Sequence, residues 1–262
     1  MMAAAVLDGK RVIVTGAARG VGAATARRFC EQGASVVLAD RDAKGAAAAA
    51  AELEAAGHPA YARGVDVTDE AALRSAVEDA VELLGGLDVA VANAGVLSLS
   101  PVASLTLEEF ERTLRVNVLG TFLTFKHAVP HLRAAGGGAL LCTASQAGVR
   151  GYRDMSAYCA SKFAVVGLVQ SLAQELAGER IRVCAVAPGL TATEMYRELV
   201  EERAHLWDLE PSVAEQRLRG TVPMGRPASP EEVADAFVYL ASDAAAYVSG
   251  ISLVIDGGEL SG

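Results

Sequence analysis

The sequence predicts an α/β protein: one doubly wound, seven-stranded parallel sheet with helices on both faces. Three observations carry this expectation. Short β-branched runs alternate with alanine-rich stretches along the 262 residues. The runs are continuously apolar rather than alternating, as strands covered on both sides must be. A glycine-rich turn follows the first run, at a strand–helix junction where such architectures hold ligands.

Taken in order, the strands are "RVIVTG" from Arg11, "SVVLAD" from Ser35, "YARGVDV" from Tyr61, "LDVAVANAG" from Leu87, "GALLCTAS" from Gly138, "IRVCAVAPG" from Ile181 and "ISLVIDGG" from Ile251. Each of the first six is followed by enough chain for a crossover helix. The segment "KGAAAAAAELEAAG" is low in complexity, but alanine is the best helix former, so it reads as a surface helix ended by Gly57. Nothing resembling a linker or repeat divides the chain, and residues 1–262 are expected to form a single domain. One stretch breaks the rhythm, at about 190–228. It is far longer than an ordinary connection and carries the only tryptophan, Trp207, with Met195, Tyr196 and Leu206 nearby. An insertion at the carboxyl end of a strand is expected to act as a substrate lid; a pair of ordinary surface helices is the alternative.

Composition narrows the function. The chain is 52% hydrophobic with a formal charge of −9, so it buries a core and shows no basic stripe for nucleic acid. No uninterrupted apolar run approaches membrane-spanning length. The opening "MMAAAVLDGKRVIVTG" lacks signal-peptide architecture, and a cytoplasmic location is expected. Cys30, Cys142, Cys159 and Cys184 form no Cys-x-x-Cys pair and read as reduced, buried small hydrophobes. The four histidines are scattered without a metal-binding pattern, so no metal is expected.

In "AYCASKF", Tyr158 and Lys162 stand four residues apart, which on a helix places them on one face. A free phenol titrates near about 10. A unit charge about 4 Å away at an effective dielectric of about 20 is worth roughly 4 kcal/mol, or about three pKa units, enough to make Tyr158 a usable acid/base. A half-buried tyrosine beside a snorkelling lysine is the bland alternative.

In "TGAARGVGAATARRF", Gly16, Gly20 and Gly22, with Val21 between the last two, let backbone N–H groups approach a pyrophosphate at a helix N-terminus. The spacing is Gly-x-x-x-Gly-x-Gly, not the more familiar Gly-x-Gly-x-x-Gly. Asp40 ends the second strand, where a carboxylate accepts from an adenosine ribose and repels a 2′-phosphate, favouring NAD over NADP. Arg19 and Arg41 flank these positions and could instead reach a phosphate.

Together, "TGAARGVG", "DVTD" at 66–69, "NAG" at 93–95, Asn117, Ser145, "YCASK" and "PGLTAT" at 188–193 resemble the short-chain dehydrogenases/reductases in content, order and spacing. The resemblance runs from about residue 6 to the "SGISLVIDGG" end and implies a Rossmann-type fold. It implies that Ser145 orients the substrate oxygen, that Tyr158 is the acid/base, and that Lys162 lowers the phenol's pKa and holds the nicotinamide ribose. Asn117 would fix a proton-relaying water. The resemblance further implies cofactor contacts from Asp66 and Val67 to adenine, from Asn93, Ala94 and Gly95 along the central sheet, and from Pro188, Gly189, Thr191 and Thr193 to the nicotinamide amide. It departs from the commoner "NNAG" at Ala92 only.

The chain is also similar to dehydrogenases of small or medium secondary alcohols, including vicinal diols and cyclic alcohols. Leu97, Gln146, Tyr152, Met155, Met195 and Trp207 are candidate pocket residues, and Gln146 could bond a second substrate oxygen or its own loop backbone. Two other readings stay open: an NADPH-dependent 3-oxoacyl-thioester reductase, and a non-catalytic NAD-binding sensor. The nearly all-round apolar segments "FAVVGLVQSLAQEL" and "NVLGTFLTFKHAVPHL" need covering, and the resemblance suggests a homotetramer.

Overall fold

The computed structural model describes residues 5–261. All seven predicted runs form strands: β1 (Arg11–Thr15), β2 (Ser35–Asp40), β3 (Ala60–Gly64), β4 (Val89–Ala92), β5 (Gly138–Thr143), β6 (Ile181–Pro188) and β7 (Ser252–Ile255). They make one parallel sheet in the order β3-β2-β1-β4-β5-β6-β7. The third strand ends at Gly64, short of the predicted run; Val65, Asp66 and Val67 lie in the loop beyond it.

Side-chain alternation divides the strands between two cores. Val12, Val14, Leu38, Val91, Leu141 and Val186 face one layer, with Phe29 of α1 (Gly20–Glu31), Leu53 of α2 (Ala43–Ala55) and Phe237 of α9 (Pro230–Ala241). Ile13, Val37, Ala90, Leu140 and Val183 face the other, with Val77 of α3 (Glu70–Leu84), Phe125 of α5 (Gly120–Ala134) and Val169 of α6 (Ser156–Leu176). Burying a side chain the size of Phe29 or Phe125 contributes about 1.5–3 kcal/mol. The helices begin where their caps dictate. Asp42 accepts from Gly45 N–H at α2, and Asp69 from Ala72 N–H at α3. Ser229 and Glu232 form a reciprocal capping box at α9.

Register then sets the site. Thr15 pairs with Ala92, Ala92 with Cys142, and Thr143 with Val186, so the carboxyl ends of β1, β4, β5 and β6 lie level. The residues just beyond them, Gly16, Asn93, Ser145 and Gly189, share one rim. The chain reverses direction across the sheet between β1 and β4, which opens a crevice at that rim. Between β6 and α9 the insertion folds as α7 (Glu194–Trp207) and α8 (Pro211–Arg219).

Asn117 lies on a single π turn, Arg115–Leu119, joining α4 (Leu107–Leu114) to α5. Such turns loosen the main-chain ladder and recur at functional sites.

Candidate functional site

The first turn is built by close approach. Gly16 has φ +65° and packs so tightly that a Cβ there would lie 2.6 Å from Ala94 Cα. At Gly22 a Cβ would lie 2.1 Å from the Gly16 carbonyl oxygen. Only glycine fits either place, and the result is a bare backbone cradle at the N-terminus of the 12-residue α1. Asn93 locks this cradle to the sheet. Its Nδ2 donates to Thr15 O at 3.2 Å and Gly16 O at 2.9 Å, and its Oδ1 accepts from Thr143 Oγ1 at 2.8 Å.

Asp40 is held by two main-chain donors, Ala18 N–H at 3.0 Å and Asp42 N–H at 2.9 Å. Arg19 pairs with Glu194 at 2.7 Å, at the start of α7, and the charge of Arg41 helps hold Asp66 below the usual carboxylate range, after the larger effect of two bonds from Thr68. The Val67 side chain is buried in the core, which leaves its backbone for a ligand. Thr193 caps α7, and its methyl group lies 3.4 Å from where a Gly20 Cβ would stand. The glycine turn and the start of α7 therefore lie side by side at the rim.

Behind the rim, a cavity of about 460 Å³ contains Ser145, Tyr158, Pro188, Gly189, Thr191 and Thr193. All six predicted pocket residues, Leu97, Gln146, Tyr152, Met155, Met195 and Trp207, line it. A larger depression of about 630 Å³ opens around Lys10, Asp88, Arg180 and Arg182, none of them at the carboxyl rim, and holds neither Ser145 nor Tyr158. The first cavity is therefore where the chemistry gathers.

Ser145 follows β5. Its Oγ accepts from Ala147 N–H at 3.1 Å and donates to Pro188 O at 3.5 Å. Tyr158 and Lys162 sit on the first turns of α6, as their spacing predicts, with Nζ 5.6 Å from the phenol ring centre. The electrostatics correct the expectation of a depressed phenol. Burial pushes Tyr158 up to about 12, and the hydrogen bond from Ser145 only partly offsets it. Burial also pushes Lys162 down to about 8. The lysine ammonium does not point at the phenol oxygen; it donates to Thr143 O at 2.8 Å. Desolvation is the largest cause of both shifts. Lys162 is thereby tied through Thr143 and Asn93 to the glycine turn.

Asn117 is buried beside Ser161. Its Oδ1 accepts from Val96 N–H at 2.8 Å, and its Nδ2 donates to Val96 O and Ser161 Oγ, both at 3.0 Å. The side chain clamps the end of β4 and offers no free amide to water. A Cβ at Gly95 would stand 3.3 Å from Asn117 Oδ1 and 3.7 Å from Lys162 Nζ, so glycine there keeps the lysine's flank open.

Among the lining residues that escape sequence reasoning are the charged Arg203, Arg217 and Glu259. Arg203 is buried on α7 and bonds Asp154 Oδ2 at 3.1 Å and Arg153 O at 2.8 Å, anchoring α7 to the loop before α6. Arg217 of α8 lies 4.5 Å from the Trp207 ring centre. Glu259 enters from the C-terminal turn. No local pattern marks any of them. The four cysteines are free and buried, as expected, and burial pushes the Cys30 and Cys142 thiols up to about 12. Among the described residues there is no group of three or more His, Cys, Asp or Glu side chains placed to hold a metal. No helix among them is long and apolar enough to cross a membrane.

Comparison with known proteins agrees with this geometry. A family model described as enoyl-(acyl carrier protein) reductase matches residues 16–259. D-threitol dehydrogenase of Mycolicibacterium smegmatis is 41% identical over 254 residues, 96% of this chain and 93% of that protein. Cis-4-hydroxycyclohexanecarboxylate dehydrogenase of Sinomonas cyclohexanicum is 41% identical over 247 residues, 94% of each chain. The solved structure of a putative NAD(P)-dependent gluconate 5-dehydrogenase from Beutenbergia cavernae, with NADP bound at low occupancy, superposes with a TM-score of 0.91 at 32% identity, covering 99% of this chain and 100% of that one.

Proposed function

This chain belongs to the short-chain dehydrogenases/reductases, and from that premise we propose that it interconverts a secondary alcohol and its ketone using NAD(H), with Tyr158 as the acid/base. The observation that carries the reading is that Ser145 and Tyr158 line one cavity, which reaches Val21 of the glycine turn. The cofactor supplies and accepts the hydride; the protein places the substrate and handles the proton. Ser145 orients the substrate oxygen and Tyr158 exchanges its proton. With its pKa near 12 the phenol stays protonated at neutral pH, the form that ketone reduction needs, whereas alcohol oxidation draws on the scarce phenolate and climbs with pH. Lys162 supplies positive charge beneath the phenol. A water relay from Lys162 would use the main-chain oxygen of Asn117, which already accepts from Thr121 Oγ1 at 2.8 Å and retains a second lone pair.

Asp40 supports NAD over NADP, because a fixed carboxylate opposite a 2′-phosphate is costly and one of the two candidate phosphate-binding arginines, Arg19, already pairs with Glu194. The substrates named for the relatives, a polyol and a cyclic hydroxy acid, support a small or medium secondary alcohol. α7 and α8 would serve as the lid, with Trp207, Met195 and Leu199 as its apolar underside. Phe122 on α5 and Phe163 on α6 are 40% and 48% exposed, and these faces would pair in a homotetramer. The family model's description favours a second reading, reduction of an acyl thioester with NADPH.

One experiment separates these readings: absorbance of the reduced nicotinamide, with NAD and NADP separately, over acyclic, diol, cyclic and acyl-thioester substrates. Turnover of secondary alcohols with NAD, falling about 10²–10⁴-fold in Tyr158→Phe, is the expected result. Turnover of thioesters with NADPH alone, or a fully active Tyr158→Phe, would overturn it.

A further inference from the structure

The C-terminal turn behaves unlike a loose end. After β7, Asp256 accepts from Gly258 N–H at 2.9 Å and Leu260 N–H at 2.8 Å, folding the chain back on itself. Gly257 (φ +63°) lies so close to Val222 that a Cβ would stand 2.7 Å from its Cγ1. The turn is thus wedged against the end of the insertion, and Glu259 is driven inward to 8% exposure.

There the carboxylate meets three donors. Gln146 Nε2 lies at 3.1 Å, the Tyr152 hydroxyl at 3.2 Å and Arg150 at 3.4 Å. All three belong to the segment between Ser145 and Tyr158, and Gln146 directly follows Ser145. Burial and the Glu259 charge push the Tyr152 phenol up to about 12, which keeps it protonated and donating.

The direction of the Gln146 amide follows from this arrangement. A carboxylate accepts only, so the amide must turn its NH₂ to Glu259 and its oxygen the other way. That oxygen is buried over Gly189, where a Cβ would stand 2.9 Å from it, and it has no hydrogen-bond partner. A buried acceptor without a donor is unfavourable, and the group that would relieve it is a donor, which on an alcohol substrate is a second O–H. A second carbonyl or an anion would meet acceptors facing acceptors.

We propose that Glu259 is a specificity-determining residue: its carboxylate, with the Gln146 oxygen whose direction it sets, forms an acceptor-rich subsite for a second substrate hydroxyl. The inference rests on the proposed alcohol dehydrogenase activity and narrows it to diols and polyols. Sites built to bond a substrate hydroxyl reject analogues that lack it strongly, because the buried partner is then left unpaired.

The test is the ratio of kcat/KM for 2,3-butanediol to that for 2-butanol, in which effects common to both substrates cancel. The wild-type protein should favour the diol at least about tenfold. Glu259→Gln keeps the side chain's size but lets either amide direction form, and should lower the ratio about tenfold. If Glu259→Gln does not fold, Gln146→Met is expected to lower the ratio similarly. Wild-type turnover of both alcohols with no preference, or a ratio that stays within about twofold in the folded variants, overturns the inference and leaves the proposed activity standing. A wild-type protein that turns over no alcohol or ketone of either kind overturns both.

Discussion

Replacing Lys162 with methionine should abolish a specific part of the protein's pH-dependent stability. Burial depresses the lysine from an ordinary 10.5 to about 8, which corresponds to about 3 kcal/mol between its two protonation states. The folded value lies below the unfolded one. Below about pH 8 both states carry the proton, and the folded state bears the full desolvation penalty. Between about pH 8 and pH 10.5 the unfolded chain binds more protons than the folded one, so stability rises with pH across that window. From about pH 7.5 to pH 9.5, wild type should gain about 2 kcal/mol relative to Lys162→Met. Urea unfolding, followed by the fluorescence of the single tryptophan, measures it at each pH. Comparing across pH matters because the variant also loses side-chain packing and part of the bond to Thr143 O at 2.8 Å, whose pH-independent share cancels. Tyr158 works in the opposite direction, since its folded value of about 12 lies above the unfolded one, but it acts mainly above pH 10. Identical pH dependence in the two proteins, or a gain in the variant, would refute a buried, desolvated Lys162.

Asn93→Ala removes two donated bonds and one accepted bond that join β1, β4 and β5. At about 1 kcal/mol each, the loss should be about 2–4 kcal/mol, lowering Tm by roughly 5–12 °C in calorimetry; a fall under about 2 °C would show that the clasp is not structural. Light scattering at micromolar concentration should give the mass of four chains, through the exposed faces around Phe122 and Phe163. A monomer would show that those faces stay in water.

Much of this protein was readable before any coordinate. Seven strands carry their own signal in short, continuously apolar runs, and none was missed. The glycine turn, Asp40 and the Tyr158–Lys162 pair were legible because each lies at a strand end or within one helical turn, where local spacing fixes relative position; Ser145 was marked by the family resemblance. The pocket side chains Leu97 and Met155 were found for the same reason: they follow or border those motifs.

What escaped depends on contacts between distant parts of the chain. Glu259 meets Gln146 across 113 residues, and only the turn built by Asp256 and Gly257 brings it into the cavity. Arg203 is a pocket residue because α7 packs back on Asp154. The Asn117 amide is occupied because folding places it beside Val96 and Ser161. The phenol's ionisation was misjudged for a related reason. Sequence spacing reports that a cation is near, whereas burial, set by the packing of α6 against the sheet, decides how strongly each charge is penalised. Periodicity and motif spacing are local and survive in one dimension; desolvation and long-range hydrogen-bond partners exist only once the chain has closed on itself.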